Sequence, residues 1–187
     1  DAYFKEKGNT WGYMATVDNM VYGSVSRPKA IVRNEVRGRD AIWRRDEPLV
    51  VCSDRVFAVN TQTDELTWDY HPESGMIINP SIAIANGRMH FVQSENPETV
   101  KVPNGQIGLP ALLKTASIVA LDAQSGKLLW KHPVELQTIT DAIYLSSGPD
   151  TIIVTGTHYR PVSAAERRGL TKPGQALRCR YEVFAYD

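Results

Sequence analysis

The side chains best suited to chemistry in this sequence are four histidines, two cysteines and two groups of arginines. A zinc-type site needs His or Cys ligands a few residues apart, so that one ion is held in a tetrahedral shell. His71, His90, His132 and His158 are scattered without such partners, and none is read as a metal ligand. Cys52 and Cys179 are too few and too far apart for a metal knuckle or a disulfide framework, and are read as buried structural thiols. Asp141 and Gly156-Thr157-His158 bring a carboxylate, a hydroxyl and an imidazole, but their spacing pairs no nucleophile with a base. There is no phosphate-binding glycine loop and no nucleic-acid motif. The sequence therefore points to no catalytic residue and no metal ligand. What remains is anion recognition by arginine, which depends on where the arginines are placed.

The bulk composition allows an ordinary globular chain, with 42% hydrophobic and 22% charged residues. Lys plus Arg and Asp plus Glu number 21 each, so there is no global attraction to nucleic acid or an anionic membrane. No apolar run approaches the length of a membrane span.

The elements that would place the arginines form an internal repeat. Val56-Phe57-Ala58-Val59-Asn60-Thr61-Gln62-Thr63-Asp64-Glu65-Leu66-Thr67-Trp68 aligns without gaps on Ile118-Val119-Ala120-Leu121-Asp122-Ala123-Gln124-Ser125-Gly126-Lys127-Leu128-Leu129-Trp130. A third copy opens at Val183-Phe184-Ala185-Tyr186-Asp187, where the sequence stops in mid-repeat. Each copy reads as an apolar strand, a polar turn and a return strand, which is a hairpin. Upstream of each lies a second hairpin signal: Tyr13 to Val17 and Met20 to Ser24 around Asp18-Asn19, Ser81 to Ala85 and Met89 to Gln93 around Asn86-Gly87, and Ile139 to Leu145 and Ile152 to Thr155 around Ser147 to Asp150. Four short antiparallel strands per repeat describe a propeller blade.

The stretch Ala120-x-Asp122-x-x-x-Gly126-x-x-x-Trp130 resembles the tryptophan-docking motif of the pyrroloquinoline-quinone (PQQ) repeat β-propeller family, which includes BamB-like proteins. Ala58 to Trp68 is similar to it, with Asn60 and Asp64 in place of Asp and Gly. The resemblance implies an all-β fold: a partial, quinoprotein-like β-propeller of about two and a half four-stranded antiparallel blades. These would be a blade over 11–70 with an insertion at 26–48, a blade over 79–132 with an insertion at 95–115, and a partial blade over 139–187 with an insertion at 160–180. It also implies that Ala58, Trp68, Ala120, Asp122, Gly126 and Trp130 are docking residues, with both tryptophans buried between blades. The partners so implied are the remaining blades of a propeller, and the implied location is the periplasm of a bacterium or another extracytoplasmic space. Neither an initiator Met nor a signal peptide precedes Asp1, and the expectation is a trimmed segment that cannot close a ring alone, so that it self-associates or melts early.

All three insertions join a second strand to a third, which places them on one face of the disc. The first carries Arg33, Arg37, Arg39, Arg44 and Arg45, and the third carries Arg167, Arg168 and Arg178, both with basic residues in excess. These form a candidate basic face for a protein or an anionic ligand, while the middle insertion is neutral. Ser163 to Arg168 reads as a short capped helix, and Leu109 to Leu113 as another. Quinoprotein dehydrogenases of the family hold a calcium ion and PQQ beneath adjacent cysteines, and this sequence has no adjacent pair. The leading expectation is a non-catalytic scaffold or binding segment with no cofactor of its own. The alternative is part of a PQQ-dependent alcohol or sugar dehydrogenase, with PQQ and calcium held on other blades.

Overall fold

The computed structural model describes residues 10–28, 30, 49–161 and 177–187. Strands β1 (Thr10–Val17), β2 (Met20–Ser26), β3 (Leu49–Asn60) and β4 (Glu65–Tyr70) pair antiparallel in chain order and form blade 1. A short strand, β5 (Met76–Ile78), leads into blade 2, built from β6 (Ala83–Ala85), β7 (Arg88–Ser94), β9 (Ala116–Asp122) and β10 (Leu128–Val134). Between β7 and β9, the insertion folds as a 3-10 turn (Pro97–Lys101), strand β8 (Gln106–Gly108) and a short helix (Leu109–Leu112). Blade 3 has three strands, β11 (Ile143–Ser147), β12 (Ile152–Pro161) and β13 (Leu177–Tyr186). Among the described residues the chain is all-β, with two four-stranded antiparallel blades and three strands of a third.

Local chemistry sets the boundaries. Asn86 and Gly87 both lie at positive φ, 51° and 69°, the backbone that closes a two-residue hairpin with the correct twist. The strand expected from Ser81 starts at Ala83, because Pro80 favours a 3-10 turn over Asn79–Ser81. The strand expected from Ile139 starts at Ile143, where pairing to β12 begins. The insertion expected over 160–180 is also narrower, since β12 and β13 stay in register out to Pro161 and Leu177. Cys52 and Cys179 lie within β3 and β13. The short helix expected at 163–168 falls outside the described residues.

Alternating side chains produce two seams. Tyr22, Val56, Ala58 and Trp68 of blade 1 pack on Met89, Phe91, Val119 and Leu121 of blade 2. Val92, Ile118 and Val134 of blade 2 pack on Ile143, Leu145, Ile152 and Val154 of blade 3, with Leu109, Leu112 and Leu113 of the insertion folded into the same core. Burial of such side chains, worth about 25 cal/mol per Å², is what holds successive blades face to face.

Strand β5, unexpected from the repeat pattern, pairs with both β3 and β7 and joins the first two blades through the backbone. Beside this bridge lies a buried polar cluster. Ser24 Oγ donates to Asn79 Oδ1 (3.1 Å), Asn79 Nδ2 donates to Ser26 Oγ (3.2 Å), and Ser53 Oγ donates to Ser24 Oγ (3.0 Å). Buried polar groups are tolerated only while paired, so removing the central amide leaves serine hydroxyls stranded. Asn79→Ala is expected to cost about 1–3 kcal/mol, measured by urea unfolding; an unchanged midpoint would show that water replaces the amide.

Candidate functional site

Ala58, Trp68, Asp122 and Gly126 lie at the first seam. Trp68 on β4 stands opposite Ala58 on β3 and is 8% exposed. Its indole Nε1–H donates to Ala123 O at 2.9 Å, in the β9–β10 turn of blade 2. That turn is held by Asp122, whose Oδ1 accepts from Ser125 N (2.8 Å) and Ser125 Oγ (2.6 Å); these bonds lower the Asp122 pKa. Gly126 closes the turn at φ +70°, and a Cβ there would stand 2.5 Å from the Trp68 ring. Only glycine satisfies both the conformation and the close approach. In blade 1, Asn60 Oδ1 caps Gln62 N at 2.8 Å and Asp64 adopts φ 57°, so the degenerate copy keeps the turn's shape.

Trp130 departs from the expectation of burial. It stands opposite Ala120 as Trp68 stands opposite Ala58, but it is 36% exposed. Among the described residues, no glycine turn covers its ring. Instead it lines an open cleft of about 630 Å³ between blades 2 and 3, with Arg88, Lys131, Tyr186 and Asp187 at the walls. On its inner side the ring stacks on His90, centroids 5.7 Å apart. His90 holds the place of Tyr22 in blade 1: each stands opposite the repeat alanine, and Tyr22 meets Trp68 at 6.1 Å. His90 is buried with Nδ1 unpartnered, and desolvation, helped by nearby Arg88, lowers its pKa to about 4.

On the insertion face, Arg27 at the end of β2 makes a bidentate pair with Asp54 (2.7 and 2.9 Å). Its Nη1 also donates to Val100 O and Val102 O, at 2.7 and 2.6 Å. Strand β8 pairs with the start of β3, and Cys52 N donates to Gly105 O. The root of the first insertion and the whole second insertion are thereby tied into one unit. Arg33, Arg37, Arg39, Arg44, Arg45, Arg167 and Arg168 lie outside the described residues; the backbone of Arg178 pairs with that of Arg160 at the base of the third insertion. Sequence reasoning missed Arg27 as a clamp, because its partners are 27 to 75 residues away.

The remaining reactive groups do not assemble. Cys52 is fully buried, and desolvation pushes its thiol pKa far up, so it is a poor nucleophile. His158 Nδ1 meets Thr138 O at 2.9 Å, while Asp141 accepts from Thr157 Oγ1. Among the described residues, no three His, Cys, Asp or Glu side chains are grouped to hold a metal ion. Trp68 is covered on its outer side by the Gly126 turn. Among the described residues, no helix is long and apolar enough to cross a membrane.

No family model and no curated protein matches the chain. Among solved structures it is similar to a europium-containing methanol dehydrogenase, with 16% identity and a TM-score of 0.40, over 80% of this chain and 21% of that one. It is also similar to the quinohemoprotein alcohol dehydrogenase from Comamonas testosteroni, with 13% identity and a TM-score of 0.40, over 82% of this chain and 21% of that one. The chain thus spans about a fifth of the length of each.

The two tryptophans should respond differently to truncation. Trp68→Ala is expected to cost about 3–5 kcal/mol, as for other buried aromatics, and Trp130→Ala clearly less; equal losses in denaturant melts would contradict the difference in packing. Stability should also depend on pH through His90. Its proton is disfavoured in the fold but taken up near pH 6.5 in the unfolded chain. Stability from this group is fully present above pH 6.5 and is lost as pH falls toward about 4. His90→Phe should flatten that part of the profile, followed by thermal melts at a series of pH values.

Proposed function

We propose that this chain is a non-catalytic PQQ-like propeller segment, a scaffold whose insertion face binds an acidic protein or another anionic ligand in an extracytoplasmic space. The observation that carries this reading is the Arg27 clamp. An arginine side chain joining Asp54 to two carbonyls of the second insertion gathers separate loops onto one side of the blades. The repeat residues Ala58, Trp68, Asp122 and Gly126 are all engaged in holding blades together, which leaves the insertions as the surface where recognition varies. Two of the three insertions are basic in sequence, and arginine supports carboxylate recognition by paired donors.

The test is titration of the chain with a labelled polyglutamate peptide. Binding should weaken with added salt, and replacing Arg33, Arg37, Arg39, Arg44 and Arg45 by Gln should weaken it by about tenfold or more. Salt-independent binding, or binding unchanged in the variant, would count against a basic face. Adding PQQ with calcium distinguishes the dehydrogenase alternative: quinone absorbance carried by the protein, with dye reduction, would replace the scaffold reading.

A further inference from the structure

The sequence holds two Asn-Gly steps, Asn86-Gly87 and Asn104-Gly105, and the fold treats them oppositely. An asparagine followed by glycine is prone to cyclise, because no side chain on the next residue shields its backbone nitrogen. At Asn104-Gly105 that nitrogen is engaged: Gly105 N donates to Val102 O at 3.2 Å, Gly105 O accepts from Cys52 N at 3.0 Å, and Asn104 Oδ1 accepts from Gln106 N at 3.1 Å. Gly105 is also buried. At Asn86-Gly87 both residues are exposed, and a Cβ on Gly87 would meet nothing within 4 Å. Among the described residues, neither the Asn86 side chain nor Gly87 N has a hydrogen-bond partner. The one bond Gly87 does make leads to the first seam. Gly87 O accepts from Ala123 N at 2.9 Å, and Ala123 O accepts the Trp68 indole N–H, also at 2.9 Å. Blade 1 keeps the link with other residues: Thr61 N donates to Asn19 O at 2.8 Å, across a turn whose first residue is Asp18 at φ 50°, against 51° for Asn86. An aspartate on an ordinary backbone therefore fits this turn.

We propose that Asn86 is a self-modification site, converting through a succinimide to isoaspartate, and that this conversion loosens the turn on which Trp68 docks. Gly87 N attacks Asn86 Cγ, the Cγ–Nδ2 bond breaks, and the Gly87 proton leaves with Nδ2 as ammonia. Water then opens the ring at either carbonyl. Opening at the side-chain carbonyl gives aspartate on the normal chain, while opening at the backbone carbonyl gives isoaspartate, in which the chain runs through Cβ and Cγ. Each product has exchanged an amide NH for an oxygen, and nothing is oxidised or reduced. Cyclisation requires Asn86 to leave the left-handed region, and the tip of a two-residue hairpin makes that motion at the least cost in broken bonds. Aspartate at 86 reproduces the turn that blade 1 already has at Asp18. Isoaspartate inserts an extra backbone atom ahead of Gly87, which moves Gly87 O off Ala123 N and frees the carbonyl that holds the indole.

The experiment ages the chain at mildly alkaline pH, folded and in urea, and maps isoaspartate by proteolysis, mass spectrometry and isoaspartate-specific methyl labelling. In urea the ratio of reaction at 86 to reaction at 104 is set by sequence alone. In the folded chain that ratio should rise about tenfold or more, because the Asn104 turn must first break its further backbone bonds. Amide hydrogen exchange then reads the docking turn: exchange at Ala123 should be clearly faster in chain carrying isoaspartate at 86 than in fresh chain, and unchanged in Asn86→Asp. A folded ratio equal to the urea ratio overturns the proposal, and so does an Asn86 that reacts in urea only. Exchange at Ala123 that is indifferent to isoaspartate, or equally fast in Asn86→Asp, overturns the link between the lengthened backbone and the Trp68 contact.

Discussion

The contact between the Trp68 indole and the glycine turn of blade 2 is the constraint on which the rest of the architecture depends. A flat antiparallel blade has two faces to bury, and apolar burial alone lets two such sheets slide and rotate over each other. The indole removes that freedom. Its Nε1–H fixes one point at Ala123 O, and the ring fixes a plane against Gly126. With the angle between blades 1 and 2 set, Tyr22 and Ala58 fall on Met89, Phe91 and Leu121, and the short strand β5 can hydrogen-bond to both sheets. The buried Ser24, Ser26, Ser53 and Asn79 cluster is affordable only in this geometry, since a shift of an ångström or two would leave its hydroxyls unpaired.

The frame was legible in the sequence because strands and turns are local. Asn86-Gly87 states its turn by conformation, and the gapless alignment of Ala58 to Trp68 on Ala120 to Trp130 predicts two equivalent hairpins that the strand pairing shows. What could not be read was whatever depends on a neighbour far away in the chain. The clamp is one case: Arg27 looks like one more basic residue in a basic insertion, and nothing near it in sequence announces Asp54 or the carbonyls of Val100 and Val102. The extent of β12 and β13 is another, since Arg178 and Cys179 carry no strong strand signal and are extended by their pairing partners.

Trp130 shows the same limit at the site itself. Its sequence context is the better of the two motifs, with both Asp122 and Gly126, yet Trp68 is the better buried ring. A tryptophan's burial is decided by the turn of the next blade, whereas the motif's own glycine serves the tryptophan of the blade before. Gly126 therefore reports on Trp68, and nothing within 118–130 reports on Trp130. Reading the motif as one unit assigns the glycine and the tryptophan to one contact, although they belong to two consecutive seams.

The exchange of Tyr22 for His90 beneath the two tryptophans follows from the same offset. Both residues stand opposite the repeat alanine and support an indole from its inner side. Under Trp68, where the outer side is sealed by the Gly126 turn, the phenol sits in a closed apolar seam. Under Trp130 the position is held by a smaller ring that must stay neutral to remain buried beside Arg88. A histidine there keeps the stacking but makes the second seam depend on pH, as the first is not at any pH where its tyrosine is protonated. The repeat thus holds its geometry constant while giving successive seams different chemical sensitivity, through one side chain placed under each indole.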